Sequence, residues 1–145
     1  MMDLLPSWIV WALLSAGFAA LTAVLAKVGV EGVSSDVATF VRTCVVVCAL
    51  AVLIAVTRQW ESVRSVSGRT YLFLALSGLA TGASWLCYFR ALKLGDAARV
   101  APIDKLSVVL VAVFGVVFLG ERLSAANWAG VALIAAGAVL VAYRG

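Results

Sequence analysis

The chain has 145 residues, 65% of them hydrophobic and only 12% charged, with a formal net charge of +4 and a mean hydropathy of +1.14. A soluble domain carries about 25% charged residues, so this chain lacks the polar surface to cover a globule in water. Composition therefore excludes a soluble domain, a disordered chain and a nucleic-acid binder, and defines an integral membrane protein whose first partner is lipid; the spans below make it an all-α membrane protein.

A membrane-spanning helix needs about 20 mostly apolar residues, and five such stretches follow one another. The first is placed at 7–28: Leu4 to Ala26 runs without a charge. The flank before it is acidic, and the run is too long for the apolar stretch of a signal peptide. It is therefore expected to be a retained helix, with Trp8 and Trp11 at the interface. Glu31-Gly-Val-Ser-Ser-Asp36 is a polar turn, with Asp36 expected as the N-cap of the second span, 36–56, which Arg42 alone interrupts. The link 58–69 carries three arginines and Trp60; the third span is expected at 71–91, the fourth at 99–119 and the fifth at 125–143. The loops between them are too short for a soluble domain. Residues 1–145 are thus expected to be one transmembrane domain, multi-pass in the cytoplasmic (inner) membrane.

Five spans put the termini on opposite faces. One face then holds four fixed cations, Arg58, Arg64, Arg69 and Arg122, and the other five, Lys27, Arg90, Lys93, Arg99 and Arg144. The positive-inside rule needs an asymmetry that these numbers do not supply. Weak orientation suits a chain that inserts both ways and pairs antiparallel with itself; a single orientation set by insertion is the alternative.

Lipid offers no hydrophobic drive between helices, so they associate where small residues admit close approach. Gly78 and Gly82 form a GxxxG in the third span, and Gly130 and Gly137 lie on a small-residue face of the fifth. Both serve packing, within the chain or against a second copy. Charges inside a span are expensive and are functional candidates by default. Arg42 and Asp104 each lie roughly 7–9 Å along their helices from the same membrane face. The helices ending there bring Lys27 and Arg90, so Asp104 is expected to pair with Arg42, Lys27 or Arg90. Lys105 follows Asp104 directly and is expected to point about 100° away, off the same face. Pro102 is either an early tolerated proline or, in a helix starting near Asp96, a kink that frees the carbonyl of Ala98. These charges are either a static ion-pair set or a gate; in an antiparallel pair they would gate both sides of a central cavity. Trp85 and Tyr88 lie deeper than interfacial aromatics and either pack between helices or line that cavity.

Histidine is absent, which removes the commonest metal ligand and the commonest neutral-pH base. Cys44, Cys48 and Cys87 read as small apolar core residues rather than a soft-metal site. No metal, cofactor or catalytic residue is expected; Lys105 and Ser107 are spaced to point apart. The chain is not expected to be an enzyme.

The run Trp85–Ile103 (WLCYFRALKLGDAARVAPI) and the pair Gly120-Glu121-Arg122-Leu123 with NWAGVALIAAGAVLVA together resemble the repeat of EamA-type members of the drug/metabolite transporter superfamily. Arg42 also falls where that pattern has an arginine. The likeness covers nearly the whole chain as one EamA-like repeat. It implies the half-size, five-helix bacterial and archaeal subgroup, working as an antiparallel homodimer or with a second five-helix half. Related four-helix multidrug exporters carry an acid within the first span, whereas none lies here between Asp3 and Glu31; proton-coupled export of organic cations is thereby disfavoured. The expectation is a secondary transporter, an exporter of a small-molecule metabolite, polar or amphiphilic, by alternating access. Arg42, Asp104, Lys105, Arg90 and Lys27 would gate or couple, with Asp104 as the proton-coupling candidate. The rival reading is a non-transporting membrane subunit that stabilises or assembles with another protein.

Overall fold

Every regular element in the computed structural model is an α-helix; the structure describes residues 6–143, apart from the side chain of Arg64. In chain order these are α1 (Ser7–Gly29), α2 (Ser35–Val56), α3 (Trp60–Arg64), α4 (Gly68–Leu94), α5 (Ala97–Asp104), α6 (Ser107–Phe118) and α7 (Ala125–Ala142). Five spans are long and apolar enough to cross a membrane: α1, α2, α4, α5 and α6 taken together, and α7. The five spans read from composition are thus all present. Their large apolar residues face outward along most of each helix, Phe18, Val45, Leu79 and Leu133 among them. In water that surface would be strongly unfavourable, about 25 cal/mol per Å²; in a bilayer it faces its own solvent. The three cysteines follow the same rule. All are exposed, which corrects their reading as core residues: an apolar residue in a membrane protein needs no interior to leave water.

The residues fall into two compact units, one of Leu94 onward with the chain before Ala26, the other Ala26–Lys93. In the first, α7 packs against α5 and α6. The expected single helix at 99–119 is in fact α5 and α6, separated at Lys105-Leu106. Pro102 lies inside α5 and cannot donate to Ala98, the second of the two readings of that proline. Beyond it the amides of Leu106, Val108 and Val109 turn to the carbonyls three residues back, Ile103, Lys105 and Leu106. This is a tightened 3₁₀-like turn, a form that in mid-helix often marks a hinge or strain. At the far end of α6, Gly120 takes φ +70°, so the chain reverses and the Glu121 amide donates to the Gly115 carbonyl at 3.0 Å.

In the second unit the N-cap of α2 is Ser34, not Asp36. Its hydroxyl accepts from the Val37 amide, and Asp36 sits in the first turn, where a carboxylate favours the helix dipole. The link after α2 holds the one-turn helix α3, tied to α4 by the Tyr71 hydroxyl donating to the Val63 carbonyl at 2.5 Å. Helix α2 ends in a Schellman turn: Arg58 donates to the Ala55 carbonyl and Gln59 to that of Ile54. Arg58, at φ +54°, holds the left-handed position that usually belongs to glycine. The buried residues of this unit gather at its other end: Val30 (1% exposed), Ser35, Thr39, Phe89 (3%) and Leu92 (0%). Thr39 is satisfied by donating to the Ser35 carbonyl at 2.8 Å, so its burial leaves no orphan hydroxyl.

Candidate functional site: an arginine seated on aromatic rings inside a span

Arg42 occupies the eighth position of α2, about 10 Å along the axis from the helix start. Its guanidinium carbon lies 4.0 Å from the ring centroid of Trp85 and 5.7 Å from that of Phe89. Trp85 and Phe89 are four residues apart on α4 and so share a face. A cation over an aromatic ring gains about 0.5–1 kcal/mol at an exposed site and more when desolvated. Tyr88, one turn after Trp85 on the same helix, is half-buried. The group packed on the Trp85 indole is thus itself charged. Phe89 was missed at the sequence level; its i, i+4 relation to Trp85 was the available signal.

The other cations at this end of the unit are held differently. Lys27 donates its ammonium to the Leu92 carbonyl at 2.7 Å, and Lys93 donates to that of Val33 at 2.7 Å. The Leu92 carbonyl lies in the last turn of α4, where no intrahelical amide remains for it, and Val33 lies in the loop before α2. Arg90 pairs with Asp36 at 3.2 Å. Within the 26–93 unit, none of the described carboxylates (Glu31, Asp36 and Glu61) forms an ion pair with Arg42.

In the other unit, Asp104 ends α5 and pairs with Lys105 at 3.4 Å; Arg99 and Asp96 lie 3.9 Å apart. The Asp104–Lys105 pair corrects the expectation that helical spacing parts them. Lys105 is the cap of α5 rather than an interior helical residue, and its four-carbon arm reaches back to its neighbour. Gly78, Gly82, Gly130 and Gly137 leave open space: a Cβ built at any of them meets no described atom within 4 Å. Among the described residues no group of three or more His, Cys, Asp or Glu is placed to hold a metal.

Five apolar spans, with one arginine seated against aromatic rings within a span, define a multi-pass membrane protein. The chain belongs to the EamA-like transporter family, which it matches over residues 6–143. It is 68% identical over 136 residues to a Sinorhizobium sp protein described as an uncharacterized transporter in the cobO 3' region, covering 94% of this chain and 96% of that one. An uncharacterized transporter of Vibrio cholerae serotype O1 is 33% identical over 90 residues, which are 61% of this chain and 30% of that longer one. No solved structure matches the chain. The resemblance read from the motifs is thus the family itself, and family membership makes the chain a membrane transporter.

Proposed function

We propose that the chain is a secondary exporter of small polar or amphiphilic metabolites across the cytoplasmic membrane. Its five helices form a single transmembrane domain, one half of a transport unit that works by alternating access. The observation that carries this reading is Arg42, a permanent charge kept within a span by Trp85 and Phe89. Charges placed there mark substrate or ion pathways. Pairing is supported by the longer Vibrio relative, of which the matched segment is only 30%, and by the near-equal positive charge of the two faces. An antiparallel homodimer meets both, with the open faces of Gly78–Gly82 and Gly130–Gly137 available to a second copy. Asp104, beside the tightened turn, is the proton-coupling group in this reading, and Lys105 is its local counter-charge.

The reading is tested in liposomes filled with a cell metabolite extract. Vesicles containing the purified protein should lose a defined subset of small solutes, identified by mass spectrometry, faster than empty vesicles. An imposed proton gradient should change that loss in the wild type and leave Asp104→Asn unaffected. Identical release from empty and protein-containing vesicles would overturn the transport reading in favour of a non-transporting subunit. Single cysteines at Ser65 and Ala98, in a chain lacking Cys44, Cys48 and Cys87, report orientation: partial labelling of both by an impermeant reagent supports the antiparallel pair, and labelling of one alone removes it.

A further inference from the structure

We propose that Arg42 is the group by which this transporter recognises its substrate, and that what it takes is the carboxylate of a small organic acid. The proposal rests on the transport reading above and narrows its substrate class. Four features of the 26–93 unit support it.

The first is placement. A guanidinium about 10 Å inside a helix is stable only with compensation, and here the rings of Trp85 and Phe89 supply it. Those rings are neutral, so the site keeps its full positive charge. The second is hydrogen bonding. Guanidinium carries five N–H donors in a planar fork, and an aromatic face has no in-plane lone pair to receive them. A carboxylate matches that fork with two parallel bonds.

The third is the disposition of the neighbouring carboxylates. Asp36, six residues before Arg42 on α2, is taken by Arg90 at 3.2 Å, and Glu31 lies in the turn before α2. Lys27 donates to the Leu92 carbonyl and Lys93 to that of Val33. This end of the unit therefore sets four cations, Lys27, Arg42, Arg90 and Lys93, against two carboxylates. The resulting local excess of positive charge attracts an anion. The fourth is residue type. Arginine is charged at any physiological pH and presents a planar fork, whereas a lysine offers a point charge. A position needed only for charge at the headgroups would not require an aromatic seat.

A soluble acid and the phosphate of an anionic lipid share oxyanion chemistry, and the experiment separates them. Trp8, Trp11, Trp60 and Trp128 are replaced by phenylalanine, leaving Trp85 as the only indole and a direct reporter of the guanidinium above it. The purified protein in neutral detergent is titrated with benzoate and, as its uncharged match, with benzamide. Benzoate should change the fluorescence saturably and benzamide should not. Arg42→Gln should weaken the response at least about tenfold, and Arg42→Lys, which keeps the charge but loses the fork, should fall between. The circular dichroism of each variant separates lost binding from lost folding, and Arg42→Lys keeps the test decisive should Arg42→Gln fail to fold.

Equal responses to benzoate and benzamide, no saturable response to benzoate, or full retention in Arg42→Gln would each overturn the proposal. So would a response only to phosphatidylglycerol micelles that benzoate does not displace, since Arg42 would then be a lipid anchor. Benzoate binding in a protein that moves no solute would strike down the transport reading and leave the site; Arg42-independent efflux of metabolites would do the reverse.

Discussion

Lys27 presents the sharpest test of whether charged residues at the end of the 26–93 unit hold it together or move during transport. Its ammonium donates to the Leu92 carbonyl at 2.7 Å, and Leu92 itself is fully buried. Lys27→Met keeps the alkyl stem and deletes the charged donor. A hydrogen bond to a charged group contributes about 1.5–3 kcal/mol. Lys27 is only half-buried, so water remains available to both partners and the expected loss is about 1–2 kcal/mol, a factor of roughly 5–30 in the folded population. The assay is unfolding in mixed micelles of mild detergent and dodecyl sulfate, followed by tryptophan fluorescence. Lys27→Arg, which retains a charged donor, should recover most of the loss. Lys93→Met removes the parallel bond to Val33, and the two losses should add within about 0.5 kcal/mol, as for independent sites. A Lys27→Met midpoint indistinguishable from wild type would refute the clamp. Reduced flux per folded molecule, without lost stability, would return Lys27 to the gating role that its sequence position suggested.

Arg58→Gly should stabilise the protein by about 1 kcal/mol in the same assay, because glycine relieves the left-handed φ of +54° and keeps both Schellman hydrogen bonds; a destabilised variant would mean that the arginine side chain contributes more than the strain it imposes. Gly120→Ala should lose about 1 kcal/mol for the converse reason, its φ being +70°, and an unchanged midpoint would show that the α6–α7 link relaxes. The Asp36–Arg90 pair, with side chains 57% and 65% exposed, should show a coupling of no more than about 1 kcal/mol in a double-mutant cycle of Asp36→Asn and Arg90→Gln. A coupling well above that would place the pair in a drier setting than its exposure indicates.

The number and type of elements were legible because lipid imposes a single demand. Every backbone polar group must be satisfied within its own segment, so about 20 apolar residues in a row can only be a helix, and five such runs are visible without any tertiary information. Arg42 was also legible, since one charge in an apolar run stands out by itself. The pairings were not. Sequence spacing parted Asp104 from Lys105 on an ideal helix, whereas the chain leaves regular α geometry just there and the lysine arm folds back onto its neighbour. Ser34 took the cap expected of Asp36, because both residue types cap well and the helix begins two residues earlier than a cap at Asp36 implies.

What the sequence by itself determined is the solvent: hydrophobic runs of this length select a bilayer and a set of helices, whatever their neighbours. Which charges meet is a tertiary matter. Coulomb attraction and cation–π contact act over a few ångströms, and residues as far apart in the chain as Arg42 and Trp85 come within that range only once α2 and α4 lie side by side. The helices are thus local decisions of the chain, and the aromatic seat beneath Arg42 exists only because two of them pack.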